Sequence, residues 1–436
     1  MPFPVGTHPL SHPENSSICP FPWIHQMIDT SGDIRLCCHA ERSEELGDCV
    51  DAAASWNGPA LREIRRQMAN GEAVPACGRC YAKEIDGVES ARQQALRVWG
   101  EHPAFQAAFQ HSLEHDFQVE NRPIYMDIRF GNRCNLVCKM CWGASSSQIV
   151  KDHKRLQAAD PERFRRFFGP LLDVTYDWYE APEAWAFLED CIPFLEELYL
   201  TGGEPTLIEQ NLAFLKRCVA TGHADHIRLR FNTNLTTIND EFLDVVSRFK
   251  WVHFGCSIDG AGPVYEYIRY PARWDRVRGN YLRLLNAASD HPFSIGVAVT
   301  VQLLNVLHLP VMLDDFAKIH DAYRHLGNRI APMALSLLSR PPRYAVRNAP
   351  EPVKREAQQR LERWMQANQQ RMGAYDRRRQ PFEEILALLG QSADDPESGT
   401  ALLAFHAFQD SNKRAKLETH VPELHALLRQ AEPARP

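Results

Sequence analysis

From Pro123 to about Leu338, short β-rich runs alternate with longer stretches whose apolar positions recur at helical spacing. The runs Ile124–Arg129, Glu197–Thr201, Ile227–Asn232, Val252–Ser257, Ser294–Val301 and Met333–Leu338 are predicted as strands. Between them, Leu207–Ala220, Asn239–Phe249, Trp274–Ala288 and Pro310–Leu326 are predicted as amphipathic helices. Six strands separated by helices predict an α/β fold, a parallel sheet covered by helices and curled into a partial (β/α)6 barrel of the TIM type. A doubly wound open sheet is the competing arrangement.

The flanks differ from this pattern. Residues 1–95 hold six cysteines and few long apolar helices. A hairpin is expected there, with strands near Trp23–Ile28 and Ile34–Cys38 joined by Thr30–Asp33. Gly32 suits that turn because glycine tolerates positive φ. A helix is predicted over Ala60–Asn70, with Gly71 placed to end it. Residues 96–122 read as a helical or irregular connection. Beyond Ser339 come charged, Gln-rich helical patterns at Val353–Gln370, Phe382–Leu389, Ala401–Gln409 and Pro422–Gln430, and the last residues, AEPARP, are expected to fray. The organisation is therefore a cysteine-rich module (1–95), a linker (96–122), the barrel (123–338) and a helical extension (339–436).

A chain of 436 residues is too long for one ordinary compact domain. Hydrophobic residues at 44% and charged residues at 24% are normal for a globular protein, and a net charge of −6 offers no phosphate footprint, so no nucleic-acid partner is expected. No stretch approaches the roughly 20 apolar residues that span a bilayer, and the amino-terminal MPFPVGTHPLSHPENSS lacks the features of a signal peptide. A cytoplasmic protein with no membrane partner is expected. Stable disulfides are unusual there, so twelve cysteines need another explanation, and their tight spacings favour metal or cluster ligation.

Three of them, Cys134, Cys138 and Cys141, read C-x3-C-x2-C just past the first barrel strand, in IYMDIRFGNRCNLVCKMCWG. Three thiolates can hold three irons of a cubane cluster and leave the fourth open to a ligand. The position agrees with active sites of α/β barrels, which gather where strands end. A zinc knuckle or three buried thiols is the plain alternative. This loop resembles the signature of the radical S-adenosylmethionine (SAM) superfamily. The resemblance implies that a [4Fe–4S] cluster on these three cysteines binds SAM and cleaves it reductively to a 5′-deoxyadenosyl radical. The residue before the last cysteine is usually aromatic in that superfamily. Here it is Met140, apolar and polarizable enough to lie against adenine.

Later strand ends extend the resemblance. Gly202, Gly203, Glu204 and Pro205 are similar to the Gly-Gly-Glu-Pro motif that holds the methionyl amino group; a tight turn opening a helix is the plain reading. Asn232 and Asn234 follow the third strand, where asparagine also shapes turns, and Asn234 is the candidate for a cofactor contact. Ser257 and Asp259, in Ser-x-Asp-Gly, are placed to bind ribose. Arg269 follows Ser257 by twelve residues, as does the arginine that pairs with the methionyl carboxylate in the peptide-modifying branch. Asn305 is a weaker candidate that a turn cap also explains.

Upstream, Cys19 and Cys37 frame C-x12-G-x4-C, and Cys77 and Cys80 supply a second pair. Four thiolates suit either a fully ligated [4Fe–4S] cluster or structural zinc. The pattern resembles the twitch module, the short relative of the SPASM module, which implies an auxiliary [4Fe–4S] cluster. Such modules usually follow the barrel, whereas this one precedes it. Cys38 and Cys49 are alternative ligands. Cys191, Cys218 and Cys256 read as core thiols. None of the eighteen histidines stands in a convincing ligand spacing, and His25 and His39 read as surface or structural. The aromatic stretch Arg165–Trp185 reads equally as a lid near the mouth or as packing.

The resemblance implies a radical SAM enzyme that abstracts hydrogen from a peptide or small metabolite. It further implies an oxidising, crosslinking or epimerising reaction assisted by the auxiliary cluster, and a reductant such as flavodoxin or ferredoxin. An iron–sulfur electron-transfer or scaffold protein is the alternative, and Gly202–Glu204 with Ser257, Asp259 and Arg269 argue against it, because electron transfer needs no cofactor pocket. A zinc-stabilised binding module is a third reading, which the three-cysteine loop disfavours.

Overall fold

The computed structural model describes residues 17–41, 46–85, 87, 89–174, 176–369, 376–394 and 397–431. The segment read above for a signal peptide lies largely outside them, as do Gln370 and all but the first residue of AEPARP. The described residues divide into two compact units, one within 1–132, 175–231 and 244–251, the other within 133–174, 232–243 and 252–436.

In the first unit the strands β1 (His25–Ile28), β2 (Ile34–Arg35), β3 (Tyr125–Ile128), β4 (Glu197–Leu200) and β5 (Arg228–Thr233) lie in the order β2-β1-β3-β4-β5. β1 and β2 form the expected antiparallel hairpin, while β1–β3, β3–β4 and β4–β5 pair in parallel. Gly32 turns the hairpin at φ +90°, where a Cβ would come within 2.8 Å of Trp178. The first predicted strand starts later than expected. Trp23 and Ile24 end a short helix, Phe21–Ile24, because Pro22 brings a φ suited to a first helical turn and no N–H.

Residues at matching register share a sheet face. Met126, Leu198 and Leu229, with Ile128, Leu200 and Phe231, make the apolar face and are all buried. The opposite face carries Tyr125, Glu197 and Arg228 in one row and Asp127, Tyr199 and Arg230 in the next. Around the hairpin, Pro59–Ala69 is helical and Gly71 follows its end at φ +75°. Helices Ala91–Trp99 and Pro103–Glu114 occupy the connection. Trp23 packs between Phe105 and Phe109, and its indole N–H donates to Ser112 Oγ at 2.9 Å. Arg65 is fully buried in this unit, its guanidinium donating to the Pro22 and Trp56 carbonyls and to Asn57, so no buried charge is left unsolvated.

In the second unit β6 (Trp251–Ser257), β7 (Phe293–Val301) and β8 (Ala334–Leu337) are parallel in that order. All six predicted barrel strands are therefore present, and the fold is α/β with mostly parallel strands. Helices Trp274–Ala287 and Leu309–Ala322 match their patterns. The second stops before Leu326, where a 3₁₀ stretch is broken at Gly327 with φ +54°. The carboxyl-terminal helices are Glu351–Ala367, Asp376–Gly390, Gly399–Gln409 and Pro422–Gln430.

The Arg165–Trp185 aromatics are packed. Phe167 and Phe168 meet Phe405 and Phe408 in the second unit, while Trp178 and Trp185 stack on Phe130 in the first. No helix among the described residues is long and apolar enough to cross a membrane.

Candidate cluster and cofactor site

In the second unit, Cys134, Cys138 and Cys141 lie on the loop that follows β3. The loop is held like an edge strand: Val137 N–H donates to Tyr270 O at 2.7 Å and Lys139 N–H to Ile268 O at 2.8 Å. These two bonds bracket Cys138 on one side and Arg269 on the other. Cys141 N–H returns to Cys138 O at 3.1 Å, which turns the last two cysteines toward one another. Met140 sits in this turn. Ser146 Oγ donates to Leu136 O at 2.7 Å and begins the helix Ser147–Ala159 as its cap. Ser147 Oγ in turn accepts from Cys134 N–H at 3.3 Å.

Burial pushes the Cys138 thiol well above its usual range, with Arg269 opposing and both partner cysteines adding to the rise. Cys141 is pushed up to about 11, again mainly by burial. Such thiols are protonated until a metal takes the proton's place, so loading releases protons. Cys134 and Cys141 act on the Cys138 thiol through space, and Cys134 on Cys141, so the three thiols are neighbours. Among the described residues no three Cys, His, Asp or Glu side chains close around one point as a single metal ion demands.

Asn234 leans on the same loop. Its Nδ2 donates to Asn135 Oδ1 at 3.0 Å and lies 4.0 Å from Cys134 Sγ, while its Oδ1 accepts from Thr236 N–H at 2.9 Å. The next residue, Leu235, is buried with φ +58°, a strained state for a branched side chain. Its amide donates to Thr233 Oγ1 and its carbonyl accepts from Asn280, so the surroundings enforce the turn that aims Asn234.

Ser257 closes β6. Asp259, two residues on, is fully buried. Its Oδ2 accepts from Arg269 Nε at 2.7 Å, its Oδ1 from Thr300 N–H at 2.7 Å, and its carbonyl from Asn305 Nδ2 at 3.0 Å. Asp259 thus supports Arg269; a ribose contact by the same carboxylate needs one of these bonds to give way. Asn305 also accepts from Gln302 N–H, and so caps the turn after β7. The Asp259 carboxylate holds the Arg269 guanidinium charged despite burial.

In the first unit, Gly202 and Gly203 follow β4 at φ +78° and +50°. A Cβ on Gly202 would stand 2.9 Å from Gly131 O, so only glycine lets these two loops approach. Glu204 is buried and accepts from Thr206 N–H at 3.2 Å and Thr206 Oγ1 at 2.7 Å, which fixes its carboxylate at the start of a helical turn.

Cys19, Cys77 and Cys80 are buried and Cys37 is half-buried. Burial raises Cys19, with Cys37, Cys77 and Cys80 contributing; it takes Cys37 and Cys77 up to about 12. Cys37, Cys77 and Cys80 thus lie near enough to Cys19 to act on its charge, while among the described residues no three of these thiols close around a single metal ion. The alternatives stand elsewhere. The Cys38 thiol is influenced by Asp127 and Arg129 on the sheet, and Cys49 is buried beside Asp48 and Asp29. Cys191, Cys218 and Cys256 are fully buried core thiols, as expected.

Two groups escaped the sequence reading. The polar sheet face of the first unit holds Glu197 paired with Arg228 at 2.7 Å and Arg230 at 2.8 Å, and Asp127 facing Arg129 at 3.4 Å. Burial raises the Asp127 carboxyl and Arg129 opposes it. The alternation in YMDIR, ELYL and RLRF was the available signal. The other group is Lys139 with Asp410, 271 positions apart and without any local signal.

The family model for the radical SAM superfamily matches residues 128–304, and that for an iron–sulfur cluster-binding domain, SPASM, matches residues 19–81. The first span contains Cys134 to Arg269, and the second begins on Cys19 and ends just past Cys80. Comparison with curated proteins returns no match. Among solved structures the chain is similar to Streptococcus suis SuiB bound to S-adenosylmethionine, with 12% identity, TM-score 0.34, and coverage of 80% of this chain and 69% of that one. It is likewise similar to SuiB bound to its precursor peptide SuiA, with 11% identity, TM-score 0.37, and coverage of 80% and 70%. The chain therefore carries a domain of the radical SAM superfamily over residues 128–304, preceded by a SPASM-type iron–sulfur cluster-binding region over residues 19–81.

Proposed function

We propose that this radical SAM enzyme abstracts a hydrogen atom from a peptide, with the amino-terminal cluster assisting electron transfer; a small metabolite is the alternative substrate. The observation that carries the reading is the cysteine loop locked to the Ile268–Tyr270 turn at the end of a helix, with Cys138 and Arg269 flanking the same bonds. Cys134, Cys138 and Cys141 are assigned to the SAM-binding [4Fe–4S] cluster, and Cys19, Cys37, Cys77 and Cys80 to the auxiliary one. When bound, the first cluster supplies the electron that splits SAM into methionine and a 5′-deoxyadenosyl radical.

The residues' tasks are to bind and orient. Arg269, held by Asp259, takes the methionyl carboxylate through a charge-assisted pair. Glu204 takes the ammonium, and the bare backbone at Gly202 and Gly203 admits the chain of the cofactor. Met140 lies against adenine, Ser257 serves the ribose, and Asn234 fixes the Cys134 side of the loop. A peptide is preferred because many twitch and SPASM relatives modify ribosomal peptides. Crosslinking, other oxidation and epimerisation are the reactions that an auxiliary cluster favours. A flavodoxin or ferredoxin is the proposed reductant. Twelve thiols without a disulfide suit a reducing, cytoplasmic setting.

Deuterium transfer tests the substrate class. A deuterated short peptide encoded beside the gene is mixed with reduced enzyme and SAM, and 5′-deoxyadenosine is analysed by mass. Deuterium in the product is expected; unlabelled 5′-deoxyadenosine at an unchanged rate would turn the reading toward a small metabolite.

A further inference from the structure

The limb of the cluster loop between Cys138 and Cys141 is fastened by the chain's last segment. Lys139 and Asp410 form an ion pair with both side chains almost completely buried, at 1% and 3% exposure. Tyr267 O–H donates to the second Asp410 oxygen at 2.8 Å and lies 2.8 Å from His406 Nδ1, and its ring stands 4.4 Å from the Lys139 ammonium. Lys416 Nζ donates to the Asp410 carbonyl at 2.6 Å. Asp410 thus follows directly on helix Gly399–Gln409, held on its backbone side as well as its side chain. His406, Asp410 and Lys416 lie past the family match, which ends at residue 304, whereas Lys139 and Tyr267 lie within it.

A buried ion pair adds little net stability, since desolvating two charges offsets their attraction, and an apolar pair of similar volume serves as well. Its value lies in geometry, because the partners must meet in one arrangement or leave a charge stranded. Here the arrangement fixes a residue that sits directly beside Cys138 and one turn from Cys141. The same Lys139 backbone bonds to Ile268, the neighbour of Arg269. Tyr267, two residues before Arg269, bonds to the same carboxylate. We propose that Asp410 is a positioning residue for the cluster: with Tyr267 and His406 it pins Lys139, and so holds Cys138, Cys141 and Arg269 in register. The inference rests on the assignment of the cluster to Cys134, Cys138 and Cys141.

The test compares three reconstituted proteins: wild type, Lys139→Met/Asp410→Leu, which removes the pair without stranding a charge, and Lys413→Met/Asp152→Leu. The last removes another buried pair, 2.7 Å apart, that ties the same segment to helix Ser147–Ala159. The readouts are the change SAM induces in the EPR signal of the reduced cluster, that cluster's midpoint potential, and SAM affinity. The first variant is expected to shift the potential, to lose or broaden the SAM-induced signal, and to weaken SAM binding at least tenfold. The second, in which an apolar pair also replaces a buried ion pair, is expected to keep all three at wild-type values. If the first double variant does not fold, Asp410→Asn, which keeps shape and a hydrogen-bond acceptor for Tyr267, is read by the same three measures. Wild-type values in the Lys139/Asp410 variants, or equal shifts in both pairs, overturn the positioning role. A wild-type protein whose reduced cluster ignores SAM overturns the cluster assignment itself, and this inference with it.

Discussion

Arg269 carries the most direct prediction at the scale of single residues. It is almost buried, it is held through Nε by Asp259, and its proposed partner is a carboxylate. Replacing it by alanine should weaken SAM binding by ~1.5–3 kcal/mol, the worth of a charged hydrogen bond. Calorimetric titration checks this, and unchanged affinity contradicts it. His25 gives a pH prediction. Burial between Phe21 and Tyr125 lowers it from 6.5 to about 3, the Leu36 carbonyl opposing. The unfolded chain therefore binds the extra proton between those values, so stability rises with pH across the window and is lost as pH falls from 6.5 toward 3. Urea midpoints at pH 7.5 and pH 5 should differ less in His25→Gln than in wild type; equal differences would deny the residue this role. Arg269 could be read from its spacing to Ser257. The support from Asp259 could not, because the pairing depends on how the turn after β6 folds under Thr300.

Among the elements, the strands and most helices were legible because periodicity is local. What periodicity omits is which strands pair. The parallel pairing of β1 with β3 joins segments about 100 residues apart, and it makes the hairpin part of the first unit's sheet. The early helix at Phe21–Ile24 was hidden by an apolar run that reads equally as strand, and Pro22 decided it. The turn after β4 was legible as a motif, but its reason is steric. Gly202→Ala forces a Cβ at positive φ against Gly131 O, and should cost roughly 1–3 kcal/mol of stability. The midpoint of chemical unfolding measures it, and a variant as stable as wild type would show that the loop can yield.

For the molecule as a whole, the cysteines were the most legible feature, since their spacings survive without any knowledge of the fold. Which of Cys37, Cys38 and Cys49 joins Cys19 is not legible from spacing, because three thiols within thirteen positions look alike. Two clusters predict roughly eight irons per reconstituted chain, and Cys77→Ala should leave about four. A wild-type content of about four irons with zinc would end the auxiliary-cluster assignment. The central claim concerns the other site. Reconstituted anaerobically, reduced with dithionite and given SAM, the wild-type chain should produce 5′-deoxyadenosine, and Cys138→Ala should produce none. A fully loaded wild-type protein that forms no 5′-deoxyadenosine, or a Cys138→Ala variant that forms as much as wild type, would contradict it.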